Sequence, residues 1–169
     1  MKAFFEKHRE VILYLLFGAI TTVVAFMTYE AVLLIGEHLF HVPMDDKTSL
    51  SYTVTYVLAQ VLQWLTAVLT AFYTNRRWVF TEADHSKGSV WHQLWLFAGS
   101  RVATFFLDLG ATSGFIHLLD LWINPDTAPD ILGIKLDAEL WAKVIVSILV
   151  VIANYVISKL LVFRKKAED

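Results

Sequence analysis

The sequence predicts an all-α integral membrane protein: a four-helix bundle of two parallel-repeat helical hairpins, with the N and C termini both cytoplasmic. Three observations carry that expectation. Hydrophobic residues make up 57% of the chain and charged residues only 18%, whereas soluble domains hold roughly 45–50% and about 25%. Exchanging the 6 Tyr for the 7 Gly, to match the two alphabets, leaves the apolar share almost unchanged. The apolar residues fall in four runs, each at least as long as the ~20 residues that cross a bilayer. Finally, lysine and arginine gather in alternate connections between those runs.

The first run, 11–35, carries one charge, Glu30, near its far end. Its apolar core is too long for a secretory signal, and three more runs follow it. The second, 51–75, lies in a charge-free stretch bracketed by Lys47 and Arg76. The third, 94–119, contains Arg101 and Asp108, and the fourth, 140–163, contains Lys143 and Lys159. With 169 residues in all, these spans and their connections fill a single domain over 1–169.

Orientation follows from basic residues near the span ends, which favour the cytoplasmic side. The N-terminal flank has Lys2, Lys7 and Arg9, the middle connection Arg76, Arg77 and Lys87, and the tail Arg164, Lys165 and Lys166. The other two connections offer Lys47 and Lys135 among Asp45, Asp46, Asp126, Asp130 and Asp137. Both termini and the middle connection are therefore expected inside. Trp78, Trp91, Trp95, Trp122 and Trp141 flank the spans, as interfacial anchors do. A net charge of −2 gives no reason to expect a nucleic-acid partner. The lack of cysteine removes disulfides, thiolate metal sites and cysteine nucleophiles.

Sliding the sequence against itself by about 83 residues aligns its halves without gaps. Val79 and Phe80 fall on Val162 and Phe163, Val61 on Val144, Val68 on Val151 and Arg76 on Lys159. The copies would share one orientation, as in parallel-repeat transporters. Gly18 falls on Arg101 and Ala25 on Asp108, so the polar positions differ and predict an asymmetric site in a pseudo-symmetric frame.

A charge inside a span is unfavourable by roughly 2.5–3.5 kcal/mol on insertion scales, so it faces protein or a watery cavity. Arg101 and Asp108 share a helix face with Thr104 between them. At about 1.5 Å per residue they stand ~10 Å apart, too far for a direct ion pair. Asp108 either caps a buried network with Asn154 or Lys143, or lines a site. Snorkelling toward membrane lipid head groups accounts for Arg77, Arg164, Lys165 and Lys166, and for Glu30 and Lys143 at the outer ends. Arg101 and Lys159 lie deeper. Planar guanidinium forks and ammonium groups are what a lipid phosphate needs, so Arg76, Arg101 and Lys159 form a candidate phosphate site, with Asn75, Asn154 and Ser158 as further hydrogen-bonding groups. Gly18, Gly99, Gly110 and Gly114 are expected to permit close helix approach. There is no nucleophile–base pair and no metal-ligand spacing, so neither an enzyme nor a cofactor is expected.

These residues resemble the GtrA-like family of small four-span membrane proteins, over about 13–166. The resemblance rests on Asn75-Arg76-Arg77-Trp78-Val79-Phe80, on Ser100-Arg101 followed by Asp108, and on Asn154-Tyr155, Ser158-Lys159 and Val162-Phe163-Arg164-Lys165. The first span departs from the family pattern: Thr21, Thr22 and Ala25 follow Gly18 where members often carry Asn. The resemblance implies translocation of a polyprenyl-phosphate-linked sugar, such as undecaprenyl-phosphate glucose, across the cytoplasmic membrane for cell-surface polysaccharide synthesis. It implies membrane glycosyltransferases as partners. The alternative it implies is a membrane anchor that recruits or stabilises such an enzyme. Four helices enclose little volume, so a lateral groove or a homo-oligomer is expected. A four-span drug or ion exporter ranks last, because the first span lacks an acid at its middle.

Overall fold

The computed structural model describes residues 2–84, 86, 88–123, 129–131 and 134–164. Of the residues used to orient the chain, Lys87, Asp126, Lys165 and Lys166 lie outside the described residues, as do the side chains of Lys2, Asp130 and Lys135.

Helix α1 runs Lys2–Phe40, α2 Leu50–Thr74, α3 Ser89–Leu119 and α4 Ala138–Ile157. Helices α2 and α4 each continue into one π-helical turn, Asn75–Val79 and Ser158–Val162. The stretches Glu6–Phe40, Leu50–Val79, Ser89–Leu119 and Ala138–Val162 are long and apolar enough to cross a membrane. The chain is thus an all-α, multi-pass membrane protein with four candidate spans. Each helix outruns its apolar run at one end or both, because the backbone ladder continues through polar residues as readily as through apolar ones. The first extends well before residue 11, through a kink at His8 where φ is −112° and ψ 16°. A feature without any sequence signal is a two-residue antiparallel ribbon before α4. There β1 (Asp130–Ile131) pairs with β2 (Ile134–Lys135).

Polar caps fix where α2 and α4 begin. Ser49 Oγ accepts from the Tyr52 N–H at 3.2 Å, and Asp137 Oδ1 accepts from the Leu140 N–H at 2.9 Å. Each satisfies one of the orphan donors of a first turn. Large apolar side chains stand outward along every span, Phe26 at 63% and Phe106 at 65% exposure among them, which is the surface a lipid solvent requires.

The chain divides into two compact units, Met1–Ala83 and Asp84–Asp169. In the first, α1 packs on α2. Near the connecting turn, Gly36 is buried, and a Cβ added there would stand 2.6 Å from Thr55 Cγ2. Midway, Thr66 Oγ1 donates to Thr28 Oγ1 at 3.2 Å. At the open end of the hairpin, Phe17 stacks on Trp78 at 5.2 Å and Tyr14 tilts against Phe80 at 6.5 Å. The glycine expectation needs correction. An added Cβ at Gly18, Gly99, Gly110 or Gly114 meets nothing within 4 Å, and Gly36 is where two helices close on each other.

In the second unit α3 packs on α4. Fully or nearly buried Phe97, Ala142 and Val146 form its seam, and Phe97 tilts against Phe163 at 5.9 Å. Asp84 closes the open end: its N–H donates to the Arg164 carbonyl at 3.3 Å, and its own carbonyl accepts from Gln93 Nε2 at 2.9 Å.

Within each unit, residues one repeat apart do the same work. Tyr14 and Phe80 meet at 54° between ring planes, Phe97 and Phe163 at 50°. Ala59 and Ala142 are both fully buried. The π turns fall on matching positions, closed by Phe80 N–H to Asn75 O and Phe163 N–H to Ser158 O, each 2.8 Å.

Candidate functional site

The open end of each hairpin gathers the candidate polar residues of its own unit. In the first unit the π turn begins at Asn75, which is 3% exposed, and its Oδ1 has no hydrogen-bond partner among the described residues. A π turn is rare and is commonly found at functional positions, because its i→i+5 bonds widen the backbone. Arg76 is half-buried and Arg77 exposed. Trp78 is held from three sides: by the Phe17 stack, by Tyr73 edge-on at 5.5 Å, and by Arg9, whose Nη2 donates to the Trp78 carbonyl at 3.5 Å.

The second unit holds most of the candidates. The Arg101 guanidinium carbon lies 4.5 Å from the Phe97 ring centroid. Phe97 precedes it by one turn of the same helix, so the two side chains stack along one face. Lys159 Nζ lies 5.8 Å from the Tyr155 ring and donates to the Tyr155 hydroxyl at 3.4 Å. Ser158 is fully buried, with its Oγ unpartnered among the described residues. Its repeat counterpart is Asn75, so each π turn starts on a buried polar group lacking a mate. Such a group is unfavourable by roughly 1–3 kcal/mol, which marks both turns as places where packing alone did not choose the residue.

Asp108 is half-buried and has no hydrogen bond or ion pair among the described residues. The network expected to tie it to Asn154 or Lys143 does not form. Asn154 Oδ1 instead accepts from Thr104 Oγ1 at 3.0 Å, one turn nearer the open end. Lys143 pairs with Glu139 on its own helix at 2.8 Å, both well exposed. The antiparallel register explains this: with Thr104 opposite Asn154, Asp108 stands at the level of Val150, a turn away from Asn154.

The structure therefore brings Thr104 and Asn154 together, seats Arg101 on the Phe97 ring and ties Lys159 to the Tyr155 hydroxyl. It leaves Asp108 without a mate among the described residues and buries Asn75 and Ser158. Phe97 was not singled out from the sequence, and Tyr155 and Phe163 entered only as motif or repeat positions, with no role beside the cations. The available signal was an aromatic residue one turn before each candidate cation: Phe72 before Arg76, Phe97 before Arg101 and Tyr155 before Lys159.

Residues 13–163 match the GtrA/DPMS transmembrane domain family, a stretch that includes every candidate site residue and most of each unit. The chain belongs to that family. An uncharacterized membrane protein of Bacillus subtilis (strain 168), YwcD, is 32% identical over 116 residues, 69% of this chain and 79% of its own. The cell wall teichoic acid glycosylation protein GtcA of Listeria monocytogenes serovar 1/2a is 24% identical over 167 residues, covering 95% of this chain and 89% of its own. Its namesake in Listeria innocua serovar 6a is 25% identical over 154 residues, covering 91% and 84%. No solved structure matches the chain.

Proposed function

We propose that this GtrA-family protein translocates a polyprenyl-phosphate-linked monosaccharide from the cytoplasmic to the outer leaflet, for glycosylation of a cell-surface polymer such as a teichoic acid. The observation that carries the reading is Arg101, a guanidinium inside a candidate span and seated on a ring of its own helix. A cation at that depth is unfavourable unless it has a use, and a lipid phosphate arriving at membrane level supplies one. Likeness to proteins named for teichoic acid glycosylation supports the substrate class.

In this reading the two hairpins are parallel repeats of one four-helix bundle, with both termini and the π turns at the cytoplasmic face. Arg101 and Lys159 of the second unit bind the phosphate, and Arg76 is the corresponding cation of the first. The unmated Asp108 and the Asn154 amide serve the sugar hydroxyls as the polyprenyl tail stays in lipid. Asn75 and Ser158 reach a ligand only when their π turns open. No covalent chemistry is required of the chain; its partners are the membrane glycosyltransferases that make and consume the lipid-linked sugar.

The test is leaflet-specific labelling of a lipid-linked sugar in proteoliposomes. Transbilayer movement above that of empty vesicles is expected, and Arg101→Ala should abolish it while the protein still folds. Movement no faster than in empty vesicles would sink the proposal. The burial of Asn75 and Ser158 favours a second reading, in which the hairpin ends serve packing and the protein anchors a glycosyltransferase. That reading predicts tight co-purification with the enzyme and tolerance of Arg101→Ala.

A further inference from the structure

We infer that Tyr29, Tyr52, Tyr56 and Gln60 form a platform for a neutral sugar ring, on the side of the first hairpin toward the turn that joins α1 to α2. That the sugar is the leading group of a lipid-linked substrate on its way out rests on the translocation reading above; the platform itself is tested without translocation.

Tyr52, Tyr56 and Gln60 stand four residues apart on α2, so they form a row along one helix face, about 12 Å long. The Tyr52 and Tyr56 rings lie 6.1 Å apart and nearly parallel, at 19°. From α1, Tyr29 meets Tyr56 edge to face, at 6.2 Å and 88°. Gln60 Nε2 donates to the Tyr56 hydroxyl at 3.1 Å. That bond uses a lone pair of the phenol oxygen and leaves its own O–H able to donate. The Tyr29 and Tyr52 hydroxyls and the Gln60 carbonyl have no hydrogen-bond partner among the described residues.

A pyranose ring offers C–H groups on its faces and hydroxyls around its rim. Aromatic faces carry negative charge density and attract the C–H groups, while phenol and amide groups both donate and accept, as sugar hydroxyls do. No lysine or arginine occurs between Arg9 and Lys47 or between Lys47 and Arg76, and Glu30 follows Tyr29 directly. Nothing in this part of the hairpin neutralises a phosphate, so the four side chains suit an uncharged sugar and not an anion.

Interfacial anchors look different. Trp95 is 73% exposed and has no ring contact among the described residues, whereas Tyr29 and Tyr52 are half-buried and gather with Tyr56 at one place. Tyr29 also lies about 16 Å along the axis from the end of α1 at Phe40. A hydroxyl within a span has little water to bond and needs another polar partner.

The second unit shows that a hairpin closes without this cluster. One repeat on, the four positions hold Thr112, Lys135, Glu139 and Lys143, and the Glu139–Lys143 ion pair, at 2.8 Å, stands where Tyr56 bonds Gln60. Helices α3 and α4 pack all the same. The three rings are therefore an addition peculiar to the first hairpin, beyond what its frame requires.

The full chain, with ring-labelled tyrosine and in phosphatidylcholine nanodiscs, would be titrated with farnesyl glucoside, a neutral lipid-linked sugar, and followed by NMR. Farnesol and farnesyl phosphate are the controls without a sugar. The glucoside should shift the Tyr29, Tyr52 and Tyr56 ring signals saturably, and neither control should. Tyr29→Phe and Gln60→Ala, which spare the rings of the platform, should each weaken binding about two- to ten-fold, one hydrogen bond's worth. Tyr56→Leu should weaken it further, and Trp95→Leu should leave it unchanged. Equal shifts with farnesol, or wild-type affinity in Tyr29→Phe, Gln60→Ala and Tyr56→Leu together, would overturn the platform. Movement of a lipid-linked sugar in proteoliposomes without glucoside binding here would overturn it too and leave translocation standing. Specific glucoside binding without such movement would sustain the platform and sink translocation.

Discussion

Gly36→Ala tests the closest helix approach in the first unit, and its cost follows from three distances. The new methyl would lie 2.6 Å from Thr55 Cγ2, 3.5 Å from Thr55 Oγ1 and 3.3 Å from Met44 Cε. Carbon atoms rest at about 3.5–4.0 Å, so the Thr55 contact is short by nearly an ångström. Met44 presents the far end of a flexible chain and can swing aside. Thr55 is β-branched, with both γ atoms flanking the site, so rotation about χ1 gives little relief. Relief must come from α1 and α2 moving apart, and overpacking of that kind is unfavourable by about 1–3 kcal/mol. Alanine's better helix propensity returns about 0.5–1 kcal/mol, for a net loss near 1–2 kcal/mol. Equilibrium unfolding in detergent micelles would measure it. Gly110→Ala, with nothing within 4 Å of its Cβ, should move stability the other way. Adding Thr55→Ala to Gly36→Ala should recover most of the loss, a coupling that only a direct contact produces. Equal effects at Gly36 and Gly110, or no recovery in the double variant, would refute the reasoning.

Three further outcomes are expected. Asn154→Ala removes the Thr104–Asn154 bond, but the Thr104 hydroxyl keeps its backbone acceptors at Ser100 and Arg101; the loss in micelle unfolding should lie near ~0.6 kcal/mol, well below the ~1.7 maximum for bonds between membrane helices. In the first unit the equivalent hydroxyl, Thr21 Oγ1, is buried with no partner among the described residues, and Ala71 stands where Asn154 does; Ala71→Asn should stabilise that hairpin by a similar ~0.6 kcal/mol on the same assay. In the connection before α2, the Thr48 hydroxyl and N–H both donate to Asp46 and hold its carboxyl below the ordinary carboxylate value. A depressed carboxylate stabilises the fold above its unfolded pKa, and that contribution disappears as pH falls through the folded value; an NMR titration should find the Asp46 midpoint shifted down, and Thr48→Ala should raise it.

The four spans were legible because apolar runs of that length have few alternatives. The candidate cations were legible for the converse reason, since a charge within such a run is conspicuous. What supports those cations was not. Phe97 and Tyr155 stand among aromatics that make up 14% of the chain, and any of these passes for an ordinary lipid-facing or core side chain. Gly36 differs from Gly110 only through the neighbour that the crossing of α1 and α2 sets beside it, which spacing along one helix does not encode. Of the two roles read for Asp108, the network with Asn154 or Lys143 fails for a similar reason. Asn154 lies on the helix packed against that of Asp108, but the antiparallel register gives it to Thr104.

Each π turn also has a consequence for how the chain tolerates changes of length. An α turn closes in about 3.6 residues, whereas a π turn takes one residue more per hydrogen-bonded ring. Loss of one residue within 158–162 can therefore be absorbed by the turn becoming ordinary α-helix, without disturbing the span before it. Everything beyond would keep nearly its former phase, whereas a deletion elsewhere in α4 that left the turn unchanged would swing it by about 100° around the axis and carry the Phe163 ring off Phe97. The spare residue held in that last turn is a reserve of length, which lets the span lose a position there and still bring its end to the same neighbours.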